Sequence, residues 1–349
     1  MAQDLNRSSI PVPEARAALR TLIYGYAQAQ LLRAAARLRL ADLLADGPRD
    51  ADELATRATV GPGILRRLLN GLAAIRVVAK YEHGRYTLTS LGYGLREDAP
   101  DSLATFAILS GEEYFRSCLG LELNPRDTRT PFERVCGEPI FDWLAQPPEV
   151  GDRFHQRMAT RIQALAPAVA AACDLSQARR IVDIGGGHGV LLATFLQRWP
   201  NARGVLFDLP GATAAGEERL AAAGLGDRVD VVGGDFFRAG ALPGGGDVYL
   251  LSQILHDWDD DRSTEILRNL RRTMDAASRL LIVEMLMPER VDGPHPAINL
   301  DLVMLVLTGG RERTVKEYRQ LLEGDGFRLD HVHAEIAPGS MSVLEARPA

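Results

Sequence analysis

Cysteine is scarce in this chain, and long apolar runs are missing. The 349 residues include three cysteines, Cys118, Cys136 and Cys173, too few and too widely spaced for a disulfide framework or a CxxC metal site. Such usage is typical of a reducing compartment. No stretch approaches the ~18 uninterrupted apolar residues of a membrane helix, so the sequence predicts a soluble, cytoplasmic protein.

An excess of positive charge is also missing. The 40 lysines and arginines against 46 aspartates and glutamates leave a formal net charge of −6, so no strong positive field attracts nucleic acid or an anionic membrane. Hydrophobic residues make up 46% and charged residues 25%, which excludes a disordered, collagen-like or coiled-coil chain. The length predicts roughly two domains.

The apolar pattern of residues 1–98 predicts a helical region that ends in a small hairpin. Apolar residues recur there at the helical spacing i, i+3, i+4, i+7. They are Leu19, Leu22, Ile23 and Tyr26. A second apolar helical face is followed by two short alternating runs on either side of His83-Gly84, which completes a winged-helix pattern. Residues 99–178 continue a helical pattern that prolines interrupt, which predicts a connecting layer that caps the substrate.

From residue 179 to residue 349, short apolar runs alternate with helical stretches. Buried parallel strands joined by crossover helices have this appearance, so this part of the chain predicts an α/β domain. The expected strands cover residues 180–184, 204–208, 229–232, 247–251, 280–284, 328–336 and 341–346. The connection between the last two is too short for a helical crossover, so these strands should pair antiparallel.

A glycine-rich turn follows the first of these strands. Gly185-Gly186-Gly187-His188-Gly189 connects the strand to an apolar helix that starts at Val190. Glycines let the backbone pass close beneath a ligand, and a helix start offers free N–H groups, so a nucleotide-like cofactor is the expected occupant. Val190 stands where a dinucleotide fingerprint needs glycine or alanine, which argues against NAD.

Acidic residues end the next two strands. Asp208 lies 21 positions after Gly187, where a carboxylate can accept hydrogen bonds from both ribose hydroxyls. Asp235 is placed to face an adenine amine, with Phe236 against the ring. Because ligands of open α/β sheets bind at the carboxyl ends of the strands, the turn and the two acids together predict a nucleoside cofactor.

Five short motifs stand at this turn and at the later strand ends. They are VDIGGGHG at 182–189, FDLP at 207–210, GDFF at 234–237, LHDW at 255–258 and GRERT at 310–314. In this order they resemble the S-adenosylmethionine-dependent small-molecule O-methyltransferases of plants and of bacterial antibiotic biosynthesis. The resemblance covers nearly the whole chain. It implies a Rossmann-like methyltransferase sheet, a homodimer formed through the winged-helix region, and S-adenosylmethionine as cofactor without a metal.

The resemblance also implies a cofactor site. The glycine turn would hold the methionyl part, the acid after the second strand the ribose, and the acid after the third strand the adenine. Ser252 stands near the adenine where plant members carry a lysine, so only a hydroxyl hydrogen bond is expected there. The expected cofactor-binding residues are Asp183, Gly185, Gly187, Asp208, Leu209, Asp235, Phe236 and Ser252.

His256 follows the fourth strand, and the resemblance places it beside the cofactor as the catalytic base. A phenol of pKa ~10 is mostly protonated at neutral pH, and a neutral imidazole, with an unperturbed pKa of ~6.5, is suited to take its proton. The resemblance also brings Asp257, Glu284 and Glu312 beside this histidine. The plain alternatives are a solvated charge at a strand end for Glu284 and a surface ion pair for Glu312.

The acidic residues 257 and 259–261 raise the question of a metal. Acids at the N-terminus of a helix are favoured by capping and by the helix dipole, so this cluster predicts a helix start and no metal site.

The acceptor pocket is expected to be apolar, and the resemblance borders it with four residues that would also suit an ordinary core. They are Phe154, Met158, Ile254 and Met304. The expected acceptor is an aromatic secondary metabolite, a polyketide-type phenol or a hydroxylated phenazine. An N- or C-acceptor is an alternative, because only His256 bears on that choice.

A different class of protein, a DNA-binding regulator that senses a metabolite, is the second alternative. Between Asp50 and Ser90, six basic residues oppose four acidic ones, and a net charge of +2 is weak for a module that reads a DNA groove. Dimerisation is therefore the expected use of the winged-helix region.

Overall fold

The chain folds as two units, Met1–Phe115 and Arg116–Ala349. This computed structural model describes residues 12–99, 102–122, 129–144, 148–336 and 341–349. The three-part division with boundaries at residues 98 and 178 stays a prediction.

The N-terminal unit combines helices with one short hairpin. Its helices are α1 (Val12–Ile23), α2 (Gly25–Arg37), α3 (Leu40–Leu43), α4 (Ala51–Arg57), α5 (Pro62–Ala74), α6 (Ser90–Tyr93) and α7 (Ala104–Gly111). Strands β1 (Val78–Lys80) and β2 (Tyr86–Leu88) pair antiparallel around a 3₁₀ turn at Glu82–Gly84. The helices and the hairpin expected in this part of the chain are confirmed.

Local sequence explains where these helices start. The Asp50 carboxylate accepts hydrogen bonds from the N–H groups of Asp52 and Glu53, at 2.9 and 2.8 Å, and so caps α4. Helix α5 begins at Pro62, whose fixed φ suits a first helical turn. Its apolar face is buried in the core of the unit through Leu65, Leu69 and Leu72.

The second unit contains a seven-stranded sheet in the order β5-β4-β3-β6-β7-β9-β8. The strands are β3 (Arg180–Ile184), β4 (Arg203–Asp208), β5 (Val229–Gly233), β6 (Val248–Ser252), β7 (Arg279–Glu284), β8 (Phe327–His333) and β9 (Ser342–Pro348). Strands β3 to β7 are parallel, and β9 runs antiparallel to both β7 and β8. The predicted sheet, with its last pair antiparallel, is confirmed.

The strand order reverses between β3 and β6, which makes this pair the topological switch point of the sheet. From β3 the chain proceeds to β4 and β5 on one side, and from β6 to β7 on the other. A crevice for ligands opens outside the carboxyl ends of the strands at such a point. Both the glycine turn after β3 and the His256 segment after β6 begin there.

The second unit contains helices before and between these strands. They are α9 (Pro131–Cys136), α10 (Ile140–Leu144), α11 (Pro148–Ala172), α12 (Val190–Arg198), α13 (Pro210–Ala222), α14 (Asp260–Thr273), α15 (Pro296–Leu307) and α16 (Val315–Gly324), while α8 (Glu113–Ser117) lies across the boundary of the units. Ile181 and Val182 belong to separate buried clusters, one on each face. Burial on both faces explains the nearly continuous apolar character of the strands. Within the described ranges, no helix is both long and apolar enough to cross a membrane.

The strand limits differ most from expectation at the end of the chain. Strand β8 stops at His333, although the apolar pattern predicts it to run to residue 336. Its register with β9 shifts between Leu329 and His331, and Glu335 has a φ of +45°. A side chain in left-handed backbone does not continue a strand, so the pairing ends before that residue. Residues 337–340, expected as the connection, lie outside the described residues.

Candidate active site

The turn after β3 has the backbone that a cradle for a ligand needs. Gly185, Gly187 and Gly189 have φ values of +68°, +53° and +67°, a region that side chains disfavour. A Cβ on Gly185 would lie 2.4 Å from Cδ1 of Ile254, so a larger residue would displace this neighbour. A Cβ on Gly187 would meet no described atom within 4 Å, which leaves open space above the turn.

Asp208 connects the turn to the end of β4. One oxygen of its carboxylate accepts a hydrogen bond from the Gly187 N–H, and the other accepts one from the Leu209 N–H, each at 2.7 Å. The predicted ribose-binding acid therefore lies directly beside the glycine turn.

Asp235 and Phe236 lie at the end of β5. The Asp235 carboxylate accepts a hydrogen bond from the Phe237 N–H at 2.9 Å. The Phe236 ring packs edge-on against Phe237 and Trp258, with ring centroids 4.8 and 6.2 Å apart. Phe236 is thus held in an aromatic cluster at the same edge of the sheet as the glycine turn.

Among the buried polar groups at the switch point that lack hydrogen-bond partners within the described residues, two belong to predicted cofactor residues. They are the Asp183 carboxylate, at the end of β3, and the Ser252 hydroxyl, at the end of β6. Burial raises the pKa of Asp183 to about 7, and the nearby Asp208 charge adds to the effect. Because buried polar groups are normally hydrogen-bonded, both residues fit a polar or cationic ligand, as a nucleoside sulfonium would be.

His256 lies in a 3₁₀ turn, Leu255–Asp257, and all three predicted carboxylates surround its ring. Its Nδ1 is 2.7 Å from Oε1 of Glu312 and 3.6 Å from Oε2 of Glu284. On the other side of the ring, Nε2 is 3.7 Å from Oδ1 of Asp257. His256, Glu284 and Glu312 are buried. The surface interpretations of Glu284 and Glu312 are therefore wrong.

Glu284 also binds the backbone of this turn. Its Oε1 accepts hydrogen bonds from the N–H groups of Ile254, Leu255 and His256, at 3.0, 3.0 and 3.4 Å. The residue ends β7, the strand adjacent to β6, so its carboxylate reaches the first N–H groups of the turn directly. Glu284 thereby fixes the backbone that carries the histidine.

The buried charges change one another's protonation. Burial lowers the pKa of His256, but the charges of Glu284, Asp257 and Glu312 outweigh it and raise the pKa to about 10. Burial, together with the Glu312 charge, raises the pKa of Glu284 to about 7 and that of Asp257 to about 6. The cluster therefore stabilises an imidazolium and keeps two carboxyls close to protonation.

Three of these groups, the histidine and the two glutamates, are residue types that also bind metal ions. One ligand atom each from His256, Glu284 and Glu312 lies within 4.8 Å of the others. However, the Nδ1 to Oε1 distance of 2.7 Å is that of a hydrogen bond. Two ligands each ~2.1 Å from a tetrahedral zinc ion would be roughly 3.4 Å apart. In this arrangement the histidine and Glu312 hold a proton between them.

The predicted substrate residues lie on three separate elements. Phe154 and Met158 lie on α11 and are partly buried, whereas Met304 lies on α15 and is buried. Ile254 follows β6, and its Cδ1 lies under Gly185. Of these four, Ile254 is the residue that directly contacts the glycine turn, and the substrate role of all four stays a prediction.

Three residues of the site were not predicted. The Asp301 carboxylate accepts a hydrogen bond from the Glu312 N–H at 2.8 Å. Gln253 is buried with a φ of +56°, and its amide has no partner within the described chain. Arg313 is buried against the His256 turn. A polar residue directly after a buried strand is a usable signal for Gln253, and Arg313 stands in the GRERT motif, but no local pattern marks Asp301.

The sheet, its glycine turn and the carboxylate-bound histidine at the switch point define an α/β methyltransferase. Residues 120–328 match the O-methyltransferase domain family, and residues 21–95 match the O-methyltransferase dimerisation domain. The chain belongs to the S-adenosylmethionine-dependent O-methyltransferase family.

Two similar proteins are bacterial O-methyltransferases. The chain is 44% identical over 94% of its length to the phenazine O-methyltransferase PhzM of Lysobacter antibioticus, and covers 94% of that protein. It is 41% identical over 94% of its length to the O-demethylpuromycin-O-methyltransferase of Streptomyces alboniger, and covers 88% of that protein. The crystal structure of NcsB1, with S-adenosylmethionine and 2-hydroxy-5-methyl naphthoic acid, is 29% identical, with a TM-score of 0.81 over 93% of this chain and 96% of that one.

Proposed function

We propose that this enzyme transfers a methyl group from S-adenosylmethionine to a hydroxyl of an aromatic secondary metabolite, with His256 as the general base. The observation that carries the proposal is the 2.7 Å hydrogen bond between Nδ1 of His256 and Glu312, buried at the switch point of the sheet. Phenazine and naphthoate acceptors of the similar proteins support a fused aromatic phenol as substrate.

The residues around the glycine turn would hold the cofactor. Asp183 offers a buried carboxylate to a cationic group, Asp208 offers one to the ribose, and Phe236 offers a ring to the adenine. When bound, S-adenosylmethionine supplies an electrophilic methyl group on its sulfonium sulfur and is converted to S-adenosylhomocysteine.

His256 would take the proton of the acceptor hydroxyl at Nε2. Because Nδ1 is hydrogen-bonded to the Glu312 carboxylate, the neutral ring carries its hydrogen on Nδ1 and its lone pair on Nε2. As the hydroxyl is methylated, its proton would move to Nε2, so that the imidazole becomes an imidazolium. The methyl group would come from the sulfonium of bound S-adenosylmethionine, whose carbon–sulfur bond breaks to leave S-adenosylhomocysteine. General-base assistance of this kind contributes on the order of 10²–10⁴-fold.

The carboxylates stabilise the charge that forms on the imidazole. Glu312 and Glu284 face Nδ1, and Asp257 faces Nε2 at 3.7 Å, so each favours the protonated ring. Because these charges raise the pKa of the imidazole, they bring its basicity closer to that of a phenol of pKa ~10, which favours the proton transfer. Glu312 therefore orients the base, and Glu284 holds its backbone.

The N-terminal unit would form a homodimer. Its match to the dimerisation domain and the exposed apolar side chains of α1 support this assignment. Packing between two copies is then the use of the winged-helix region, and no nucleic acid or membrane partner is expected.

Incubation with methyl-labelled S-adenosylmethionine and a panel of hydroxylated phenazines and naphthoates tests the reaction. Mass spectrometry should locate the label on a phenolic oxygen. Aminated analogues without a hydroxyl serve as the matched controls, because a nitrogen lone pair needs no base. Label on nitrogen or carbon would contradict the O-acceptor, and absence of transfer despite S-adenosylhomocysteine binding would contradict the substrate class.

A further inference from the structure

The loop Gly310–Arg313 lies directly against the turn that carries His256. A Cβ on Gly310 would come within 2.0 Å of the His256 carbonyl oxygen, so only glycine allows this approach. The Arg311 N–H donates a hydrogen bond to the same oxygen at 2.9 Å. Glu312 then binds the ring, as described above. Successive residues of the loop thus hold the histidine by its backbone and by its side chain.

Arg313 completes these contacts from a buried position, with 1% of its surface exposed. Its Nη1 donates to the Leu255 carbonyl at 2.8 Å, and its Nη2 donates to the Trp258 carbonyl at 2.9 Å. Nη2 also reaches the Ser263 hydroxyl at 3.2 Å, and Nε donates to the Asp260 carboxylate at 2.9 Å. The guanidinium therefore binds the turn on both sides of the histidine.

We propose that Arg313 is a positioning residue for His256, which holds the turn Leu255–Trp258 against Glu312 so that the imidazole keeps its catalytic orientation. The proposal rests on the role of His256 as base in the proposed function. The described side-chain hydrogen bonds of Arg313 go to the turn and to Asp260 and Ser263 beyond it, so its effect on the imidazole passes through the turn.

The chemistry of arginine explains why this residue type occupies the position. Its planar guanidinium presents five N–H donors in a rigid fork, so it can bind two carbonyls and a carboxylate simultaneously. A lysine ammonium keeps the charge but loses that fork. Without the guanidinium contacts the turn can move away from Glu312, which would lengthen the contact between Nδ1 and Oε1. Misplacement of a catalytic group by ~1 Å can cost on the order of 10²-fold in rate.

The substitution Arg313→Lys tests the proposal. We expect kcat to fall by roughly 10²-fold, while the Kd for S-adenosylhomocysteine changes less than about twofold. The rise of kcat/KM with pH should also move to lower pH, because a looser contact with Glu312 lowers the pKa of His256. A role in folding alone would not move this profile. If Arg313→Lys folds poorly, Asp260→Asn at the exposed end of the contact should produce smaller changes in the same direction.

Arg228 provides a matched control within the same unit. Its Nη2 donates to the carbonyls of Leu196, Trp199 and Ala202, at 3.0, 3.2 and 2.7 Å. Arg228 lies before the amino end of β5, whereas the His256 turn follows the carboxyl end of the parallel strand β6. Arg228→Lys removes a comparable set of backbone contacts and should lower the melting temperature without changing kcat or its pH dependence. Equal losses of kcat per folded molecule in the two variants would overturn the proposal.

The position of His256 can also be measured without methyl transfer. Such a measurement tests the role of Arg313 independently of the proposed reaction. The imidazole N–H proton between His256 and Glu312 should resonate far downfield in the proton NMR spectrum of ¹⁵N-histidine-labelled protein, with His256→Ala for assignment. We expect Arg313→Lys to shift or broaden this signal and Arg228→Lys to leave it in place. An unchanged signal in Arg313→Lys would contradict positioning, even where an acceptor for the enzyme has yet to be found.

Discussion

At the scale of single residues, the site depends on three buried ionisable groups, His256, Glu284 and Glu312, and on the partly buried Asp257 beside them. His256 has carboxylates near both ring nitrogens, so its proton affinity is set by Glu284, Asp257 and Glu312 more than by its own chemistry. Interacting groups of this kind titrate as a unit. Each substitution in the cluster should therefore change rate and pH dependence together.

Replacement of His256 by alanine removes the proposed base. We expect kcat to fall by at least ~10²-fold, with the Kd for S-adenosylhomocysteine unchanged, because the imidazole acts on the acceptor proton. His333→Ala is the control, since His333 forms a comparable bond to Glu345 at 2.9 Å. Steady-state kinetics and calorimetric titration measure both quantities. Full turnover in His256→Ala would remove the general-base mechanism.

Glu312→Gln should move the pH profile. Only the neutral imidazole accepts a proton, so kcat/KM of the wild type should rise with pH and level off near the His256 pKa of about 10. Loss of the Glu312 charge lowers that pKa, and the rise should then end at lower pH. The control is Glu345→Gln, which weakens the His333 pair and should leave the profile in place. A profile that moves to higher pH would contradict this sign.

Asp208→Ala should weaken cofactor binding. The carboxylate holds Gly187 and Leu209 in addition to the expected ribose, so its loss should raise the Kd for S-adenosylhomocysteine roughly tenfold or more, as charge-assisted hydrogen bonds are worth about 1.5–3 kcal/mol. We expect a smaller effect on kcat at saturation, because this contact serves ground and transition states alike. Asp230→Ala, an exposed acid on β5, is the control. Equal affinities in calorimetry would show that Asp208 is not a cofactor contact.

The sequence predicts His256, Glu284 and Asp208 at strand ends. Buried strands can be recognised as apolar runs, and the carboxyl ends of parallel strands lie at one edge of the sheet. It does not predict the role of Arg313. In the sequence, Arg311-Glu312-Arg313 has the pattern of a solvated charge run, and only the folded chain brings the carbonyls of Leu255 and Trp258 to the guanidinium.

At the scale of elements, the strands of the sheet follow from burial on both faces, and the five parallel ones lie within one residue of expectation at either end. The end of β8 lies three residues before the expected position. Partly exposed strands have a weaker apolar pattern, and the backbone at Glu335 is left-handed. The contact between the Gly310–Arg313 loop and the His256 turn is similarly a property of the assembled elements.

Gly310→Ala tests this contact between elements. The added methyl would meet the His256 carbonyl at 2.0 Å, so the loop and the turn must separate. We expect a loss of about 1–3 kcal/mol in the free energy of unfolding, as for overpacking, together with a lower kcat. Gly324→Ala at the end of α16 is the control, because its Cβ meets no described atom within 4 Å and should be neutral or slightly stabilising. Urea unfolding that places both variants at wild-type stability would contradict the contact.

At the scale of the whole molecule, each unit has its own core, and each accounts for a different property. The second unit carries the predicted chemistry at its switch point. The first unit has a core around Leu54, Leu65 and Leu69, yet it also leaves large apolar side chains exposed. Those on α1, between α1 and α2, and at the start of α2 are Leu19, Leu22, Ile23, Tyr24 and Tyr26.

Leu22→Glu should weaken the proposed homodimer. Leu22 is 76% exposed, and a charge placed among its apolar neighbours would have to be desolvated when two copies associate. Sedimentation equilibrium should give the wild type twice the 38.0 kDa chain mass and shift Leu22→Glu toward one chain, by at least about tenfold in the dissociation constant. The control is Val291→Glu, which changes a side chain 63% exposed beside the charged Arg290 and Asp292 and should leave the mass unchanged. A wild type that sediments as a single chain at micromolar concentration would show that the apolar face of α1 serves something other than self-association.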